Sequence, residues 1–185
     1  MKRGNFMIKK FAVVLLVLCS LFCVAGCAEI GSGFTSEPTR VNFPIEGYGL
    51  QIMADDTFTE KTGGEWDIQL TNDEAFISVM VYKYSDLSDG MTAQDVYRIQ
   101  NDSFLGNRTN VKELEKESTE VIEGRTVTQK LYSAEKDGAE NYYASYIFDI
   151  PEKETCAWLL ISAVPSYYTG NKEHLNNIAC SLTAA

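Results

Sequence analysis

Thr155-Cys156-Ala157-Trp158-Leu159-Leu160-Ile161-Ser162-Ala163-Val164 is apolar at almost every position and follows the turn Pro151-Glu152-Lys153-Glu154. A strand with one wet face alternates apolar and polar residues; a run without alternation belongs to a strand covered on both faces. Residues 76–84, FISVMVYKY, have the same character. Two such strands need a sheet with material on either side.

The cover is legible nearby. Thr92 is placed to cap a helix, and Asp95 stands three residues on, as in a capping box with Asp in place of Glu. Met91 and Val96 occupy the positions of a hydrophobic staple. Val96, Ile99 and Ser103 line one face, with Tyr97 and Phe104 beside it, and Gly106 marks a stop. The spacing predicts a helix over 92–105. A second is predicted over 171–180, where Leu175, Ile178 and Ala179 form a stripe that continues to Leu182.

Outward from these runs the period is two. Residues 111–122 read VKELEKESTEVI, with Glu113, Glu115 and Glu117 expected on one solvated side. Residues 126–133 and 141–150 follow, joined by Lys136-Asp137-Gly138-Ala139, whose Asp-Gly pair suits a hairpin. With 155–164 these make a four-strand antiparallel meander. Upstream, Tyr48–Ile52 and Trp66–Leu70 alternate. The expected class is α+β, an antiparallel sheet of about seven strands covered by a helix on each face.

That order of elements resembles the Mog/PsbP-like fold, shared by exported lipoproteins of the DcrB-like kind. The likeness is carried by Tyr48-Gly49-Leu50-Gln51-Ile52, by Asp55-Asp56-Thr57-Phe58, by Leu159–Ala163 and by Ile178-Ala179-Cys180-Ser181-Leu182. Ala54 and Phe58 stand near places where family members often have Pro and Trp. The resemblance implies partner binding rather than catalysis.

The chain opens with Lys2, Arg3, Lys9 and Lys10 and no acid, then an apolar run over 11–25. A basic start, a short apolar middle and small residues at its end make an export signal; a spanning helix needs roughly 20 apolar residues. Val24-Ala25-Gly26-Cys27 resembles the bacterial lipoprotein signal box, which makes Cys27 the lipid attachment site. The expected organisation is a signal over 1–26, a lipidated tether over 27–42 and one α+β domain over 43–185. The segment after Cys27 holds 12 bases against 26 acids, a net −14. A surface of that sign repels nucleic acid.

Candidate chemistry is sparse. His174 is the one histidine, placed at the start of the last predicted helix, where an exposed polar role is expected; no nucleophile-elbow motif accompanies it. His174, Cys156 and Cys180 match no zinc spacing. Asp86-Leu87-Ser88-Asp89-Gly90 lacks the alternating acids of a calcium loop. No cofactor is expected. Cys156 and Cys180 are a possible disulfide in an exported domain. However, nine helical residues climb only about 14 Å, whereas the strand over 156–164 runs about 27 Å, which favours two free thiols. Tyr143, Tyr146, Tyr167 and Tyr168, with Tyr142, form either an aromatic platform for glycan or peptide or the filling of sheet faces. If the platform exists, Tyr143 and Tyr167 are exposed neighbours.

The function expected is a lipid-anchored, non-enzymatic binding or accessory module at the outer face of a bacterial membrane. Its partner is an envelope protein or polymer. The alternatives are an envelope hydrolase using acidic residues, or a glycan or peptide binder acting through the Tyr-rich face.

Overall fold

A computed structural model describes residues 38–185. The expected signal over 1–26, with Val24, Ala25 and Gly26, and the expected lipid site Cys27 lie outside the described residues.

The main sheet has seven antiparallel strands in the order β3 (Thr59–Glu60), β4 (Ile68–Thr71), β5 (Ala75–Lys83), β9 (Thr155–Ala163), β8 (Ala139–Ile150), β7 (Arg125–Lys136) and β6 (Thr109–Ile122). The meander is present as β6-β7-β8-β9, and β9 then pairs with β5. Both runs read as doubly covered lie inside the sheet. Every residue of β9 except Ser162 is buried. Two-residue turns close the β6–β7 and β7–β8 hairpins. Glu123-Gly124 and Asp137-Gly138 all take positive φ, the geometry whose twist matches that of the strands and that favours Gly in second place.

A small second sheet, β1 (Arg40–Ile45), β2 (Leu50–Asp55) and β10 (Thr183–Ala184), is an addition to the expected plan. Its first strand opens inside the span expected to be tether. Arg40 pairs with Asp55, and Ile45 with Leu50. Only Ile45 of β1 is buried, so no hydrophobic period announced the strand.

Helix α1, Ala93–Leu105, starts as its sequence demands. Thr92 Oγ1 accepts from the Asp95 amide and Asp95 Oδ2 accepts from the Thr92 amide. Gly106 ends it with ordinary right-handed angles, not the left-handed ones expected of a terminal Gly. Helix α2 runs from Pro165 to Cys180, six residues longer at its start than predicted. Asn171, where the predicted helix began, is a kink inside α2, at φ −122° with its Nδ2 donating to the Tyr167 carbonyl.

The two faces of the sheet hold separate cores. Ala157, Leu159 and Ile161 face α2 and β2, where Ile52, Leu175 and Ile178 meet them. Cys156, Trp158 and Leu160 face α1. Cys156 and Cys180 therefore lie on opposite sides of the sheet, and both are free thiols. Burial pushes Cys156 up to about 11.

Strand β6 is the exposed edge. Register shifts between Glu113 and Glu115, and between Glu115 and Ser118, break its period. The three glutamates expected on one side are thereby split. Glu113 pairs with Lys130 at 2.7 Å, Glu115 pairs with Lys172 of α2, and Glu117 accepts from Gln94 of α1 at 3.2 Å. Bulges and charges of this kind keep a long edge from pairing with other strands.

One buried polar node holds α1 to the sheet. Ser145 of β8 is fully buried; its Oγ accepts from Trp158 Nε1 at 2.9 Å and donates to Asn101 Oδ1 at 2.6 Å. Tyr97 donates its hydroxyl proton to the Ser145 carbonyl at 3.2 Å. Ser145→Ala leaves the Trp158 N–H and the Asn101 oxygen without partners inside the core. The expected cost is about 2–4 kcal/mol, read in chemical denaturation as a lower midpoint with an unchanged slope.

Candidate functional site

Helix α1 covers only one end of its sheet face. Beyond its C-terminal end lies an open cleft of about 420 Å³, within the size range of ligand pockets. Its floor follows from strand register. Phe76 of β5, Ser162 of β9 and Tyr143 of β8 stand in one cross-strand row, and Ser78 and Leu160 in the next. Gln69 of β4 donates to Ser78 Oγ at 2.8 Å and extends the second row.

Aromatic walls rise from this floor. Trp66, in the β3–β4 connection, stacks on Trp158 with ring centroids 5.3 Å apart. Phe104, at the end of α1, meets Tyr143 edge-on at 5.1 Å and Trp158 at 6.1 Å. Phe76 is left 41% exposed in a strand whose neighbours are buried, with Lys61 Nζ 5.5 Å from its ring centre. Arg108 lies flat on Phe104 at 3.4 Å and donates from Nη1 to the Phe104 carbonyl at 2.7 Å.

The charge of the cleft departs from that of the domain. Lys61, Arg108 and Lys136 line it, against Asp73 and Glu74 on an exposed turn. Among the described residues none of these three cations pairs with a carboxylate; the ion pairs are made by Arg98, Arg125, Lys130, Lys172 and His174.

The sheet separates the tyrosines proposed as a platform. Tyr143 is buried toward α1, whereas Tyr146 and Tyr168 are buried toward α2. Tyr167 is half-buried on the α2 side and its hydroxyl accepts from Asn72 Nδ2 at 2.9 Å. Tyr143 and Tyr167 are thus not exposed neighbours, and the Tyr-rich platform is corrected to sheet filling. Period two put the tyrosines of β8 on alternate faces. Burial pushes Tyr168 up to about 12, and Tyr146, whose hydroxyl donates to Asn176 at 2.6 Å, well above its ordinary value.

His174 is not the exposed residue expected. It sits past the α2 kink, and its Nε2 lies 2.6 Å from Oδ2 of buried Asp55 on β2. Asp55 also accepts from the Thr57 amide at 2.9 Å and from the Thr57 hydroxyl. Burial raises the Asp55 carboxyl, but the hydrogen bonds from Thr57 and His174 together outweigh it and leave it lowered. The pair ties the small sheet to α2, on the side of the main sheet away from the cleft. Among the described residues no cluster of three or more His, Cys, Asp or Glu could hold a metal ion.

Neither a family model nor a curated protein matches this sequence. Solved structures do. Cyanobacterial PsbP (CyanoP) from Synechocystis superposes with a TM-score of 0.60 at 15% identity, over 84% of this chain and 99% of that one. The fold is that of PsbP and Mog1. LpqN of Mycobacterium tuberculosis gives 0.59 at 14% identity, over 80% and 91% of the two chains. The Ran-binding protein Mog1p of Saccharomyces cerevisiae gives 0.50 at 10%, over 80% and 96%. At these identities the shared property is the PsbP-like architecture.

Trp66 was read only as the face of a strand, Phe104 only as a helix side residue, Phe76 only as the start of a doubly apolar strand and Lys136 only as part of a turn; Lys61 and Arg108 carried no signal. They come from segments scattered over residues 61–143 and meet only through the sheet.

The Asp55–His174 pair makes a pH-dependent contribution. The folded carboxyl loses its proton more readily than the unfolded one. Its stabilisation is therefore complete above the unfolded value of about 4 and fades as pH falls through the lower folded value. Unfolding of the wild type and of Asp55→Asn should show a stability difference that shrinks below about pH 4; a difference constant with pH contradicts this.

Proposed function

We propose that this chain is an extracytoplasmic binding module, held to a bacterial membrane through lipid on Cys27, that acts without covalent catalysis through the cleft beside α1. The observation that carries the reading is the cleft itself. Beside α1 the sheet is left open in a hollow lined by the aromatic rings of Trp66, Phe76, Phe104 and Tyr143 and by three cations that make no ion pair among the described residues. Ligand sites have this composition, an apolar lining with a few placed polar groups.

Other observations agree. The lone histidine is engaged by Asp55 on the far side of the sheet. LpqN, which has this fold, is described as involved in cell envelope biogenesis. Among the described residues no helix is long and apolar enough to cross a membrane.

The test places a photo-crosslinker at Phe76 in intact cells, with the same group at exposed Val121 of β6 as control. A discrete adduct at 76 and none at 121, in a membrane fraction that loses the protein when Cys27 is changed to Ala, is the expected result. Equal labelling at both positions, or membrane retention of Cys27→Ala, overturns the proposal.

A further inference from the structure

From the same cleft we infer the class of its ligand: an acidic saccharide, one or two sugar rings bearing a carboxylate or phosphate. This rests on the reading of the cleft as the binding site and adds its chemistry.

Charge supplies the first argument. The described residues carry 12 Lys and Arg against 24 Asp and Glu, yet the cleft presents three cations to two acids. Among the described residues Lys61, Arg108 and Lys136 make no ion pair, and the acids that share the cleft lie on the β4–β5 turn. Such a set favours an anion. Arg108 fixes where it binds. Stacking on Phe104 and the bond from Nη1 to the Phe104 carbonyl hold the guanidinium plane, and a planar fork of donors suits a carboxylate or phosphate.

The second argument is the mixture of surfaces. Phe76 and Trp66 line the cleft together with the polar side chains of Gln69, Ser162 and Asn141. A sugar ring has a C–H face that lies against an aromatic and a rim of hydroxyls that needs amides and hydroxyls. Asp73 and Glu74 accept further hydroxyl protons, a use an anion alone would not find for them. A cleft of about 420 Å³ holds one or two such rings, and its open side lets a longer polymer continue.

The full chain, purified in detergent, is titrated with trigalacturonate, phosphorylated maltotriose and plain maltotriose. Its two tryptophans, Trp66 and Trp158, report directly, one lining the cleft and the other stacked beneath it. A saturable fluorescence change with an acidic sugar, at least about tenfold tighter than with maltotriose, is the expected result. The stronger of the two acids distinguishes carboxylate from phosphate. Arg108→Gln should weaken that binding roughly tenfold to a hundredfold. Lys136→Gln, at an exposed position that cannot unsettle the core, should weaken it several-fold. Equal binding of maltotriose, lost in Phe76→Ala, overturns the acidic class while leaving the cleft as the site. Absence of saturable binding by any sugar overturns the saccharide, and the crosslink at Phe76 then decides separately whether the cleft binds at all.

Discussion

The hydroxyl of Ser145 holds the α1 side of the molecule in register. A buried hydroxyl that both accepts and donates has little freedom: the Trp158 indole must stand on one side and the Asn101 amide oxygen on the other. Because Trp158 belongs to β9, Ser145 to β8 and Asn101 to α1, this node fixes the helix along the sheet. A purely apolar contact tolerates sliding. A buried polar group without its partner costs on the order of 1–3 kcal/mol, so this contact does not.

The position of α1 decides where the sheet is left open. With its middle pinned over Ser145, the helix delivers Phe104 to the edge of Trp158 and Tyr143, and the chain beyond it lays Arg108 on Phe104. The cleft begins there. On the opposite face α2 and the small sheet bury Ile45, Leu50, Ile52, Leu175 and Ile178 and leave a smaller hollow of about 100 Å³ between α2 and β6–β8. Asp55 and His174 tie those two covers to each other.

The edge strand β6 shows how a long exposed ladder is kept harmless. Val111, Leu114 and Val121 are exposed along it. Its register shifts turn neighbouring glutamates to opposite faces, where Lys130, Lys172 and Gln94 hold them. Regular alternation would have stacked the carboxylates on one side, where like charges oppose one another.

The sequence by itself determined the class and most of the elements. Unalternating apolar runs mark β5 and β9, Thr92 and Asp95 start α1, and Asp137-Gly138 turns β7 into β8, because each depends on residues close along the chain. Tertiary structure decided the rest. Strand β1 buries only Ile45 and so left no period to read, and the first turns of α2, which bury Tyr168 against the sheet, precede the predicted start at Asn171. The partner of His174 stands 119 residues away, and the cleft draws on β4, β5, β7, β8, β9 and the end of α1. Which residues meet across a sheet depends on strand order and register, set by the joint burial of both faces and by no single stretch of chain.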